Sequence, residues 1–191
     1  MHKRSFLVAG ASLAALAVFA GGCTTSGGGS GDPAARRRAI DADVDRALSQ
    51  LYNEIGGSRE LVASARGVLV FPSVVSAGFI VGGTHGVGAL RKGGATASFH
   101  SMTAASVGLL AGARSKAVYY LFMTEDALRR FETSSGWTIG ADASVAVVNV
   151  GANAQIDSRS AQQPVIGFVL TNAGLMANLS MDGTRIVPLN L

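Results

Sequence analysis

The chain has 191 residues, 48% of them hydrophobic and 15% charged, with 16 basic residues against 12 acidic ones. Apart from Phe6 to Phe19, Gly, Ser, Asn or a charge breaks each apolar run well short of the roughly 20 residues that cross a bilayer, so the folded part is expected to be soluble. Two of the basic residues, Lys3 and Arg4, fall in the N-terminal leader and the rest are scattered among acids, which argues against a nucleic-acid partner.

In chain order, His2-Lys3-Arg4 forms a positive n-region, Ser5 to Phe19 an apolar h-region, and Ala20-Gly21-Gly22 sets three small residues before Cys23. This order resembles a bacterial lipoprotein signal, although Ala20 stands where Leu is commoner. The resemblance implies that residues 1–22 are removed and that Cys23 becomes an acylated, palmitate-type N-terminus. An ordinary signal cleaved after Ala20 and an uncleaved anchor are the alternatives. Acyl chains at about 0.8 kcal/mol per buried methylene make such attachment effectively permanent. Thr24 stands where an Asp would retain a lipoprotein in the inner membrane, so the expected location is the outer membrane, facing the periplasm. With its one cysteine so used, the chain has no internal disulfide. Residues 23–32 hold the linker Thr24 to Gly31, which spans about 16 Å r.m.s. and at most about 28 Å. The domain, residues 33–191, is expected to stay near the membrane.

Asp32-Pro33 reads as the start of a helix whose Ile40, Val44, Ala47, Leu48, Leu51, Tyr52 and Ile55 recur at helical spacing until Gly56-Gly57. Ser58 is placed to cap a short second helix, Arg59 to Arg66. From Val68 the pattern changes to β-branched and aromatic runs punctuated by Gly: Val68 to Phe71, Gly78 to Val81, Ala95 to Ser101, Ser106 to Leu110, Ala117 to Met123, Ala143 to Val150, Val165 to Leu170, Leu175 to Leu179 and Arg185 to Val187. Ala95 to His100 and Ala141 to Val145 alternate apolar with polar, as antiparallel strands do. A helix interrupts them, with Thr124 as N-cap, Glu125 and Asp126 in its first turn, and Arg129 and Arg130 in its last. Many of the 25 glycines lie within or beside strand-like runs, where tight curvature or close backbone approach accounts for them. The expected fold is α+β: a strongly curled, barrel-like, Gly-rich antiparallel sheet packed with the N-terminal helices and one inserted helix.

Gly67-Val-Leu-Val-Phe-Pro72, Ala77-Gly-Phe-Ile-Val-Gly-Gly83, Gly86-Val-Gly88, Ser106-Val-Gly108, Gly112-Ala113, Leu121-Phe-Met-Thr124, Ala127-Leu128 and Gly140-Ala-Asp-Ala-Ser-Val145 follow one another through nearly all of residues 58–191. In this order and spacing the chain resembles the SYLF domain family, a lipid- and actin-binding domain. The resemblance implies a membrane-associated binding module without catalysis. Its eukaryotic members bind phosphoinositides and, in fungal cases, bundle actin.

Arg36-Arg37-Arg38 is the one basic run, close behind the linker, with Arg36 and Arg37 flanking the apolar stripe as an interfacial helix requires. Asp32, Asp41, Asp43 and Asp45 balance Arg36, Arg37, Arg38 and Arg46, which alternatively reads as a solvated face with an Arg37–Asp41 pair. Three arginines near a helix N-terminus nevertheless oppose the helix dipole. Arg91 and Lys92 lie in one loop, Arg114 and Lys116 in another. If the sheet joins these loops they form an anion site; otherwise they are ordinary charged turns. Gly82 to Gly88 resembles a phosphate-cradling loop, but strand-like sequence follows it where a helix N-terminus is needed, which argues against a nucleotide. No cofactor or metal is expected, because a metal site would need His85, His100 and a carboxylate such as Asp142 to converge in three dimensions. The expected function is lipid binding, through anionic phospholipid or phosphoinositide-like headgroups met by the Ile40–Ile55 stripe and nearby arginines. The alternative is a structural envelope module that binds a protein partner.

Overall fold

A computed structural model describes residues 32–78, 81–107, 114–147, 163–171, 174–175 and 183–191. Helix α1 (Pro33–Glu54) begins where its signals stand: the Asp32 carboxylate accepts from the Ala34 N–H at 3.0 Å and Pro33 occupies the first turn. Its stripe, Ile40, Val44, Ala47 and Leu51, is buried, as is Ile55 just beyond. Gly57, at φ 79°, turns the chain into α2 (Ser58–Ser64). Ser58 departs from its expected role. Its hydroxyl bonds to the Leu51 and Ile55 carbonyls at 3.1 and 2.6 Å, closing the end of α1 rather than capping α2.

Four strands follow, β1 (Gly67–Gly78), β2 (Val81–Lys92), β3 (Ala95–Val107) and β4 (Arg114–Phe122), then α3 (Glu125–Thr133). The short β5 (Trp137–Thr138) and β6 (Ala146–Val147), then β7 (Val165–Thr171), β8 (Gly174–Leu175) and β9 (Arg185–Pro188), complete the described elements. They form one nine-stranded sheet in the order β5-β9-β3-β2-β1-β4-β7-β6, with β8 beside β7. The pairing is antiparallel except between β6 and β7.

The strands run longer than the apolar stretches suggested, so that β3 carries on past Ser101 through Thr103 and Ala104 to Val107. Gly82 to Gly88 lies inside β2, where ladders to β1 and β3 on both sides override the weak strand propensity of glycine. Gly88 is there for space: a Cβ would stand 1.9 Å from the Val70 carbonyl oxygen, beside the bulge of β1. Ala141 to Val145 is a turn leading into β6, not one alternating strand. Asp142 accepts from the Thr138 N–H at 2.6 Å and its own N–H returns to the Thr138 carbonyl at 2.8 Å, which caps the short edge strand β5.

Trp137, on the β5 edge, has its ring 6.1 Å from Tyr120 and 5.8 Å from Phe122, both on β4. Four strands lie between β5 and β4 in the sheet, so only a sheet rolled back on itself can make these contacts. The expected α+β fold with a strongly curled sheet is observed. The concave face holds Leu69, Phe71, Tyr120, Phe122 and Trp137, closed by Leu128 and Phe131 of α3. Against the convex face lies the α1 stripe, packed on Val68, Val70, Tyr119 and Leu121, with the Tyr119 hydroxyl donating to the Ala47 carbonyl at 2.8 Å.

Candidate functional site

Strand register settles the two loop cation pairs. Arg91 stands opposite Val68 of β1 and Lys116 opposite Val74, so six residues, about 20 Å of strand, separate them. The sheet puts them at opposite ends and does not join them in one site.

Arg91 is a clamp. Its side chain is 13% exposed, and its guanidinium donates to the Asp45 carboxylate at 2.7 Å and the Asp41 carbonyl at 3.2 Å and lies 3.5 Å from the Asp41 carboxylate. It thereby fastens β2 to α1. Thr96 of β3 adds a 2.6 Å bond to the other side of the same contact, through Asp41. Lys92 pairs with Glu132 of α3 at 2.9 Å, and that hydrogen bond raises its pKa. At the other end, Arg114 begins β4 opposite Ser76. Lys116 is partly buried, with its pKa lowered by desolvation. The clamp role of Arg91 was missed by sequence reasoning, although Asp41 and Asp45, four residues apart on one helix face, signal a cation from outside the helix.

This clamp changes the balance around Arg36-Arg37-Arg38. Asp41 and Asp45 turn towards Arg91, and Asp43 pairs with Arg46. Arg37 makes no Asp41 pair; it donates to the main-chain oxygen of Leu191 at 2.7 Å. Asp32, 3.8 Å from Arg38, is the one carboxylate left at this end among the described residues. Arg36 and Arg38 are exposed. The Ile40–Ile55 stripe faces the sheet, which corrects its expected role as the lipid contact: its apolar surface is already covered.

The histidines do not form a metal site. His100 pairs with Gly88 and extends the concave series of Met102, with its ring 4.9 Å from Phe131, whereas His85 falls on the opposite face by strand alternation and is exposed. Among the described residues no three His, Cys, Asp or Glu side chains converge as metal ligands. Burial holds the His100 pKa down to about 4; Nε2 meets Ser98 Oγ at 2.8 Å, and Nδ1 has no partner among the described residues. A cleft of about 410 Å³ opens between the start of α3, Trp137, Asp142 and Pro164. Its carboxylates are committed, Asp126 to Arg129 and Arg130 at 2.5 and 2.8 Å and Asp142 to the Thr138 N–H. Cys23 lies outside the described residues.

Residues 103–190, from the second half of β3 through β9, match the model of the family described as Ysc84, Las17-binding protein actin regulator. This match supports the resemblance to the SYLF family over residues 103–190. The match takes in the motifs at Ser106–Gly108, Gly112–Ala113, Leu121–Thr124, Ala127–Leu128 and Gly140–Val145. No curated protein matches the chain at a significant level. SYLF domains are binding modules for lipids or actin-related partners. The matched region includes α3 and, with β4 and β7, part of the concave core, while α1, α2, β1, β2 and the first part of β3 precede it.

Proposed function

We propose that the chain is an envelope lipoprotein, anchored to the outer membrane through an acylated Cys23, whose SYLF domain binds anionic lipid headgroups from the periplasmic side. The observation that carries this reading is the excess of positive charge at the start of α1. Arg36, Arg37 and Arg38 crowd the positive end of the helix dipole, with no acidic residue in the first turn and, among the described residues, one carboxylate, that of Asp32, beside them. A phosphodiester seated there answers both the dipole and the guanidinium charge. Pro33 follows Cys23 by ten residues, so an acylated Cys23 holds these arginines close to the bilayer surface and weak intrinsic affinity is amplified by effective concentration. Bacterial phosphatidylglycerol and cardiolipin are the natural headgroups.

The test is flotation of unacylated protein beginning at Thr24, at low salt where charge attraction is strongest. It is expected to float with phosphatidylglycerol vesicles and not with phosphatidylcholine, and the Arg36→Glu, Arg38→Glu double variant is expected to stay at the bottom. Indifference to lipid composition would sink the reading in favour of a protein partner. Mass spectrometry of the N-terminal peptide from the native envelope separately tests the anchor.

A further inference from the structure

The four loop cations divide sharply. Arg91 and Lys92 each hold a carboxylate. Among the described residues Lys116 makes no hydrogen bond or ion pair, and desolvation alone shifts its amine. The alternation of β4 gives its direction. Ala117, Tyr119 and Leu121 pack on the convex side and Val118, Tyr120 and Phe122 in the concave core, so Lys116 continues the inward series. The amine of a long side chain thus stands over the concave face, partly out of water, with no counter-ion among the described residues. Burial of an unpaired cation is unfavourable and calls for a reason.

Its surroundings supply one. Beneath this level the concave face is filled: Val74 lies opposite Lys116, and a Cβ on Gly86 would meet Val74 and Met102 at 2.8 and 3.2 Å. One step further towards the sheet end, Ser76 of β1 and Thr84 of β2 are buried, with their hydroxyl oxygens 2.9 Å apart. Ser76 is the diagonal neighbour of Lys116 on the same face, about 7–8 Å away and within reach of a lysine. An ammonium above two hydroxyls on an apolar floor offers donors for an oxygen-rich anion, and the missing charge is negative.

We propose that Lys116 anchors an oxyanion site on the concave face that takes a phosphate or phosphodiester group, with the hydrogen-bonded Ser76–Thr84 hydroxyl pair supplying one further donor. The site is separate from the α1 arginines and does not depend on them. The phosphate belongs either to a free soluble ligand or to a lipid headgroup, and two arms of one experiment separate these sources.

The chain has three lysines, of which Lys3 lies in the leader, so Lys92 serves as an internal reference. The whole protein, in a non-ionic detergent, is treated with trace acetic anhydride at pH 8, and acetylation of Lys92 and Lys116 is read by peptide mass spectrometry. Inorganic phosphate is added in one arm and phosphatidylglycerol in mixed micelles in the other. At ten times the dissociation constant the ligand is expected to slow Lys116 by about tenfold and to leave Lys92 unchanged. Protection in both arms identifies a site open to free phosphate, and protection by phosphatidylglycerol alone identifies a headgroup site. Failure of both ligands to protect Lys116 overturns the proposal. So does a Lys116→Gln variant whose melting temperature rises with the protecting ligand as much as that of the wild type. Arg36→Glu, Arg38→Glu protein is expected to show full protection, so this proposal and the flotation reading fail independently.

Discussion

The two ends of the curled sheet treat charge in opposite ways. At the hairpin between β2 and β3, Arg91 and Lys92 are bound to acids on α1 and α3, and rings close the interior: Phe131 lies 4.9 Å from both Phe122 and His100. At the other end the described part of the concave face holds buried hydroxyls and an amine with no counter-ion among the described residues. The first arrangement uses cations as ties between layers. The second leaves a cation whose electrostatic need the described residues do not meet. The same residue type therefore has different meanings at two places about 20 Å apart along the strands.

Removing the plug tests the closed end most severely. Phe131 is 2% exposed and touches Phe122, His100 and Trp137. Phe131→Ala is expected to cost about 3–4 kcal/mol, read by urea denaturation. A loss below about 1 kcal/mol would mean that α3 does not close the interior. Acid should act at the same end. His100 has its folded pKa depressed to about 4, so the native state stays neutral while the unfolded chain takes up a proton below about 6.5. Stability from this group is complete above about pH 6.5 and is lost as the pH falls towards 4, by about 3 kcal/mol in all. The measurement is the stability of wild type and His100→Leu across that window. Parallel curves would show that His100 is not the group responsible.

Why the ends differ was only partly legible in the sequence. Asp32-Pro33 and Thr124 marked true helix starts, because caps are local chemistry. The glycine-rich strands pointed to a curled sheet, because missing side chains permit the close approach seen at Gly88. The α1 stripe was legible as a buried face, but an amphipathic pattern gives the face and not what covers it: membrane and sheet ask for the same spacing. Charge partners were illegible for another reason. Arg91 lies 46 residues from Asp45 and Lys92 lies 40 from Glu132, and only register and the placement of α1 and α3 bring them together. The expected Arg37–Asp41 pair failed because the acid had a better partner elsewhere, a partly buried guanidinium able to hold two aspartates.

Paired substitutions of opposite expected sign sharpen the contrast further. Arg91→Met strips a largely covered guanidinium from Asp41 and Asp45 and leaves both acids facing each other across one helical turn, which is destabilising. The expected loss is about 2 kcal/mol, below that of a fully buried pair because Asp45 remains well exposed to water. Lys116→Met removes a cation that has no partner to lose and replaces it with an apolar chain of similar length above an apolar floor. The expected result is a gain of about 0.5 kcal/mol, small because the amine is only partly out of water. Thermal melts at pH 7 in phosphate-free buffer read both. A clear loss in Lys116→Met would mean that the amine has a structural partner after all, and the two ends would then be alike; a gain leaves Lys116 as a group held at some cost to the fold, for which an anionic ligand is the physical reason.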